Sequence, residues 1–206
     1  MISVLCVDDH RLMREGITFI LGMHPDVRVV AEASNGEEAV AMYQQFRPDV
    51  TLMDLQLPRM NGLEATRAIR RLDPAARIVV LTMYQGDEDI YRAIQAGAVG
   101  YVLKDSLSGE LLRVIRAVHR GENAVPPDIA AKLALRPAQT ALTAREVQVL
   151  ELLRTGMRNR DIAEALRITE ETARTHIKNI FGKLNVHDRT AALAEAVRRG
   201  LVHIDP

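Results

Sequence analysis

DVTLMD, residues 49–54, decides the fold. Its interior is an unbroken β-favouring run, and it ends on an acid. A strand that shows no polar–apolar alternation is buried on both faces, as in a parallel sheet covered by helices. Reading outward, ISVLCV (2–7), VRVVAEA (27–33), RIVVLT (77–82) and GYVLK (100–104) give four more short strands. Helical spacing fills the intervals at 11–22, 36–46, 62–72, 87–96 and 107–119. In the first of these helices Leu12, Ile17, Ile20 and Leu21 can share a broad apolar face; the second offers Ala39, Val40, Met42, Tyr43 and Phe46. The last offers Leu111, Leu112, Ile115 and Val118. Five strands alternating with five helices predict an α/β fold: a five-stranded parallel sheet with helices on both faces.

The chain has 206 residues, room for one or two domains of about 100–200 residues each. Only 3% of residues are aromatic and none is Trp, so the core is aliphatic. No 18-residue apolar run occurs, which predicts no membrane-spanning helix. The opening MISVLCVDDH has no basic n-region and does not read as a signal peptide. Cys6, the single cysteine, has no internal disulfide partner; it fits a reducing, cytoplasmic setting and reads as a small buried hydrophobe. Twenty-seven basic residues balance 27 acidic ones, which argues against a strongly basic nucleic-acid binder. Residues 1–120 hold 14 basic and 16 acidic side chains; residues 121–206 hold 13 and 11. DNA binding would therefore depend on local placement of charge.

The alternation stops after residue 120. Gly121, Pro126, Pro127 and Pro137 mark residues 121–141 as a linker, with a short helix expected around 128–135. From 142 to 206 the periodicity is helical only, at 144–154, 159–166, 170–184 and 189–199, with Thr143, Thr169 and Asp188 as capping candidates. Thr143 and Glu146 form a T-x-x-E capping box. A short helix, the turn RIT (167–169) and a longer helix with basic outer residues form a helix-turn-helix pattern.

Ligands of open parallel sheets bind beyond the carboxyl ends of strands. There Asp8 and Asp9 follow the first strand, Asp54 closes the third, Thr82 the fourth and Lys104 the fifth. Crowded carboxylates call for a hard cation, and Mg²⁺ suits a few carboxylates with phosphate oxygens. A hydroxyl and an ammonium beside them neutralise a transferred phosphoryl group. Taken singly, an Asp after a strand also caps helices, and a Lys is commonly a surface charge. His10, His24, His119, His187 and His203 show no metal-ligand spacing along the chain, and no glycine-rich nucleotide motif occurs.

VDDH (7–10), MDLQLPRMNG (53–62), LTMY (81–84) and AGAVGYVLKD (96–105) resemble the receiver domains of two-component response regulators. The resemblance spans the first 120 residues and implies a flavodoxin-like fold. It implies that a sensor histidine kinase phosphorylates Asp54. It further implies Mg²⁺ bound by Asp9, Asp54 and the backbone carbonyl of Gln56, with Asp8 acting through water. Thr82 and Lys104 would bind phosphoryl oxygens, and Tyr101 would change rotamer as Thr82 is drawn to the phosphate. Asp105 follows Lys104 where many receivers have Pro.

LTAREVQVL, NRDIAEAL, ITEETARTHIKNIFGKL and RTAALAEAV, within residues 142–201, resemble the LuxR-type helix-turn-helix, a second, smaller all-α domain. The whole chain is thus similar to the NarL/FixJ family. The resemblance implies a transcriptional regulator that binds double-stranded promoter DNA, acts as a homodimer through residues 189–199 and has no catalytic turnover beyond its own phosphorylation chemistry. RNA polymerase is a further candidate partner. Arg174, Thr175 and Lys178 would face bases; Asn159, Arg160, Asn179 and Lys183 would be candidates for the DNA backbone. Asn185 stands where Gly is common and tolerates the left-handed conformation that ends a helix. Three other readings compete: an aspartate-nucleophile phosphatase, disfavoured because Gln56 stands where a second acid is expected; a phosphate-independent regulator; and an adaptor that binds no DNA.

Overall fold

A computed structural model describes residues 1–83, 87–125 and 142–202. The short helix expected at 128–135 lies outside the described residues. Chain contacts divide into two units, one built on residues 1–83 and 90–125 and one on residues 142–202.

In the first unit the strands are β1 (Ile2–Val7), β2 (Val27–Ala33), β3 (Val50–Asp54), β4 (Ile78–Thr82) and β5 (Gly100–Leu103). They alternate with α1 (Arg11–Gly22), α2 (Gly36–Phe46), α3 (Gly62–Leu72), α4 (Asp87–Ala96) and α5 (Leu107–His119). All pairings are parallel, in the order β2-β1-β3-β4-β5. This is the flavodoxin-like order, whose switch point falls between β1 and β3. Successive strand residues alternate faces. Val4, Cys6, Val50, Leu52, Val79 and Leu81 therefore meet Ile17 and Leu21 of α1 and Leu111 and Ile115 of α5. Leu5, Val7, Met53 and Ile78 meet Ala39 and Tyr43 of α2 and Ala65 and Ile69 of α3.

Three expectations change. Leu12 is 84% exposed, because the face of α1 that meets the sheet is set by Met13, Ile17 and Leu21, a turn-by-turn row that leaves Leu12 outside it. Phe46 ends α2 partly exposed, since Ala39 and Tyr43 already occupy the buried side. β5 stops at Leu103, and Lys104 opens a three-residue 3₁₀ turn ending at Ser106. No cis peptide occurs among the described residues, so Asp105 leaves the rim on a trans bond. Past α5 the chain stays beside the sheet: Ala124 bridges to Gly100, and its N–H donates to the Val99 carbonyl.

The second unit contains α6 (Ala144–Arg154), α7 (Asn159–Leu166), α8 (Glu170–Leu184) and α9 (Arg189–Arg198). Val149, Leu150, Leu153, Ile162, Ala173, Ile177, Ile180, Leu184, Ala192 and Ala196 form its core. The Thr143–Glu146 capping box starts α6, Thr169 caps α8 and Asp188 caps α9. Asn185 ends α8 at φ 56°, the left-handed cap anticipated for it. Arg189 donates to the carbonyls of Leu153 and Met157 and so ties the start of α9 to the end of α6.

The loop after β3 folds back on itself: the Gly62 N–H donates to the Leu55 carbonyl. A Cβ on Gly62 would stand 1.9 Å from the Asp54 carbonyl oxygen. Gly62→Ala must therefore shift the strand end that carries Asp54. The expected loss is about 1–3 kcal/mol, typical of overpacking. All four tyrosines lie in residues 1–120, so urea titration followed by tyrosine fluorescence isolates the effect on this unit.

Candidate phosphoacceptor rim and nucleic-acid interface

Parallel register brings the carboxyl ends of β1, β3, β4 and β5 side by side. Val7 pairs with Met53, Asp54 with Leu81, and Thr82 with Leu103. The residues that follow or close those strands share one edge. Asp8, Asp54, Thr82 and Lys104 are all buried there, whereas the Asp9 side chain is 35% exposed.

Lys104 Nζ lies 2.6 Å from Asp8 Oδ2 and 2.7 Å from Asp54 Oδ2. The contact to Asp54 is a directed hydrogen bond; the one to Asp8 is an ion pair. One ammonium thus bridges two buried carboxylates. The remaining oxygens are held by backbone: the Gln56 N–H donates to Asp54 Oδ1 at 3.2 Å, and the His10 N–H donates to Asp8 Oδ1 at 2.9 Å. Arg14 donates to the Asp8 carbonyl at 2.6 Å and pins the strand end from α1.

The charge is not balanced. Lys104 pairs with the buried carboxylates of Asp8 and Asp54, at an edge too poor in water to screen them, while the partly exposed Asp9 pairs with His10. Burial, aided by the negative charge of Asp8, holds the Asp54 carboxyl above the usual carboxylate range despite Lys104. Burial alone would lower Lys104, but Asp54 and Asp8 outweigh it and raise the ammonium's pKa. Burial, with Asp8, pushes the Cys6 thiol up to about 12, so Cys6 is a core hydrophobe. Ligand atoms of Asp8, Asp9, His10 and Asp54 lie within 4.8 Å of one another, a donor set that can hold a metal ion. Its chemistry, mainly hard oxygen with excess negative charge, fits a divalent cation.

Every residue expected at the rim falls on it or beside it. Gln56 is exposed and presents its backbone to Asp54. Tyr101, on β5, is buried. Sequence reading missed His10, whose Nδ1 sits 2.7 Å from Asp9 Oδ1. It looked for separated ligand spacing and passed over a histidine adjacent to two acids. It also missed Arg14 and Gly62, which act through backbone carbonyls and leave no residue-type signature.

In the second unit α7, the turn and α8 form the helix-turn-helix, with Arg167 in the left-handed region at φ 53°. Arg174, Thr175, Lys178 and Asn179 are exposed on α8, opposite buried Ala173, Ile177 and Ile180. Arg160 is exposed and Asn159 half-buried at the start of α7. Arg174 is paired with Glu170 at 3.1 Å and Glu171 at 3.6 Å. Lys178 makes no ion pair among the described residues. Lys183 departs from the expected set: its Nζ turns to Glu146 Oε2 at 2.7 Å, because α6 and α8 pack together and Glu146 is buried.

Together, the doubly wound sheet, the acidic rim and the helix-turn-helix define a signalling module joined to a DNA-reading one. Residues 4–116 match the family described as response regulator receiver domain, and residues 140–196 match bacterial regulatory proteins of the luxR family. The transcriptional regulatory protein LiaR of Bacillus subtilis is 41% identical over 98% of this chain and 100% of its own. The response regulator protein VraR of Staphylococcus aureus is 38% identical over 98% and 99%. The crystal structure of the response regulator ChrA of a heme-sensing two-component system superposes with a TM-score of 0.55 at 37% identity, covering 98% of both chains. The chain belongs to the two-component response regulators that join a receiver domain to a LuxR-family DNA-binding domain. It is a transcription regulator of that family and not a conventional enzyme. No described helix is long and apolar enough to cross a membrane.

The Lys183–Glu146 pair gives a test of the second unit. Burial would raise Glu146, but hydrogen bonds from Lys183 and Thr143 outweigh it and leave the carboxyl below its ordinary 4.5. A carboxyl depressed by folding stabilises above its unfolded pKa, and that contribution fades as pH falls through its folded value. Lys183→Ala should destabilise the helical unit by about 1–3 kcal/mol at neutral pH by leaving a buried acceptor short of a partner. The deficit should shrink in acid. Far-UV circular dichroism melts at pH 7 and pH 3.5 check both; operator affinity of the folded variant should be unchanged.

Proposed function

We propose that this chain is a phosphorylation-controlled transcriptional regulator in which Asp54 accepts a phosphoryl group from a sensor histidine kinase. The observation that carries the proposal is the buried Lys104 ammonium bridging Asp8 and Asp54. An isolated buried acid would simply stay protonated. An acid held against an ammonium at a ligand-binding sheet edge is equipped for phosphoryl chemistry.

In the step proposed, an Asp54 carboxylate oxygen attacks the phosphorus of the donor phosphohistidine. A P–O bond forms as the P–N bond breaks, and the departing imidazole retains the electron pair and takes up a proton. Lys104 exchanges its contact with Asp54 for one with a phosphoryl oxygen. The Thr82 hydroxyl donates to another, and Tyr101 changes rotamer as Thr82 is drawn to the phosphate. Asp9, Asp54 and the Gln56 carbonyl would hold Mg²⁺, with Asp8 acting through water. When bound, the ion neutralises phosphoryl charge. Phosphorylation is thus a local electrostatic change that biases a two-state surface around β5.

The output is DNA binding by α8 in the major groove, with Arg174, Thr175 and Lys178 toward bases and Asn159, Arg160 and Asn179 toward the backbone. Lys183 leaves that set because Glu146 holds it. The organisation proposed is a receiver over 1–120, a linker over 121–141 and a DNA-binding domain over 142–206. The active form is a homodimer through α9 that engages double-stranded promoter DNA in the cytoplasm, with RNA polymerase as a further contact. The named relatives are a transcriptional regulatory protein and a response regulator, and both run the length of this chain.

Two measurements test the two halves. With a phosphodonor and Mg²⁺, wild type should take up stoichiometric alkali- and hydroxylamine-labile label and Asp54→Asn should take up none. Stoichiometric label on the variant removes Asp54 from this role. Lys178→Ala should weaken operator binding by roughly 1–3 kcal/mol and flatten its salt dependence if a DNA contact is lost; an unchanged titration would take Lys178 out of the interface.

A further inference from the structure

The rim carries one donor that is not an oxygen. Nδ1 of His10 belongs to the group of four atoms, with carboxylate oxygens of Asp8, Asp9 and Asp54, that all lie within 4.8 Å of one another. An octahedral ion with bonds of about 2.1 Å places adjacent donors about 3 Å and opposite donors about 4.2 Å apart. The His10 Nδ1–Asp9 Oδ1 separation of 2.7 Å and the Nδ1–Asp8 Oδ1 separation of 3.5 Å are close to the adjacent spacing. His10 precedes α1 without a side-chain cap hydrogen bond, its side chain is 76% exposed, and its ring pairs with Asp9 and, more distantly, Asp8. What positions it is its backbone, whose N–H is held by Asp8 Oδ1. The imidazole is thus held beside Asp8 and in contact with Asp9.

We infer that His10 is a nitrogen ligand of the rim's divalent ion and tunes the site toward first-row transition ions such as Co²⁺ and Ni²⁺. Mg²⁺ gains little from imidazole, whereas Co²⁺ and Ni²⁺ bind it well, and the affinity of a nitrogen-containing site rises along the series from Mn²⁺ to Ni²⁺. The same three carboxylates without His10 form an all-oxygen site that does not make this distinction so strongly. His10 Nδ1 and Asp9 Oδ1, now in contact with each other, would be two of the donors, exchanging that contact for the ion. The inference rests on the reading that Asp9 and Asp54 hold a divalent ion, and adds which ions this chain's rim selects.

Calorimetric titration of the full chain with Mg²⁺ and with Ni²⁺ separates the two ideas, using wild type, His10→Ala and Asp9→Asn. His10→Ala should weaken Ni²⁺ at the rim by at least the roughly tenfold that losing even an outer-shell partner costs, and leave Mg²⁺ unchanged. Asp9→Asn should weaken both ions. Pulsed EPR of the Mn²⁺-loaded protein should show an imidazole ¹⁴N coupling that vanishes in His10→Ala. Nickel affinity unchanged in His10→Ala, equal losses for both ions, or no nitrogen coupling would each overturn the role given to His10. If Asp9→Asn leaves both titrations intact, the acidic-rim reading itself fails, whatever His10 does. Nickel held by the other histidines would survive in both variants and would count against the inference.

Discussion

A single ammonium held between two buried carboxylates is the constraint on which the receiver's chemistry depends. Lys104 follows β5, Asp8 follows β1 and Asp54 closes β3. They meet only because the strands are parallel and in the register observed. Charges in a poorly hydrated edge are tolerated when paired and hydrogen-bonded. Here Lys104 pairs two of the rim's three acids, and Asp9 turns to His10. In the function proposed, the excess negative charge is what a divalent cation would neutralise.

The rest of the first unit serves this arrangement. The apolar strands divide their side chains between two helical layers, and the acidic rim lies at their carboxyl ends. Arg14 holds the Asp8 carbonyl, and the Gly62 N–H holds the loop that leaves Asp54. Both act on backbone, which sets where a carboxylate begins more firmly than a side-chain contact could. A glycine is required at 62 because the loop passes too close to the Asp54 carbonyl for a Cβ.

The second unit uses the same economy differently. Its core is small and aliphatic, and one buried acid, Glu146, fixes both the start of α6 and, through Lys183, its packing on α8. That leaves the exposed side of α8 to Arg174, Thr175, Lys178 and Asn179. The acids Glu170 and Glu171 sit in the first turn of α8, where the helix dipole favours them, and pair with Arg174, which leaves Lys178 as the cation of that face with no ion pair among the described residues.

The sequence by itself determined the class of fold, because buried parallel strands need unbroken apolar runs and crossover helices need a 3.6 period. It also determined which residue types end the strands, and hence that Asp8, Asp54, Thr82 and Lys104 share an edge. Helix starts at Thr143, Thr169 and Asp188 were legible too, since capping is decided within four residues. Only the tertiary structure decided which way a residue turned when two faces were open to it. Leu12 lay within the apolar pattern of α1 yet faces outward, because the sheet accepts the row through Ile17 and Leu21. Lys183 had the spacing of a DNA contact yet turns inward to Glu146, thirty-seven positions away. His10 carried no ligand spacing along the chain, yet the bend from β1 into α1 sets it against the acids. Local periodicity says how a segment folds; partners distant in sequence say what each side chain is for.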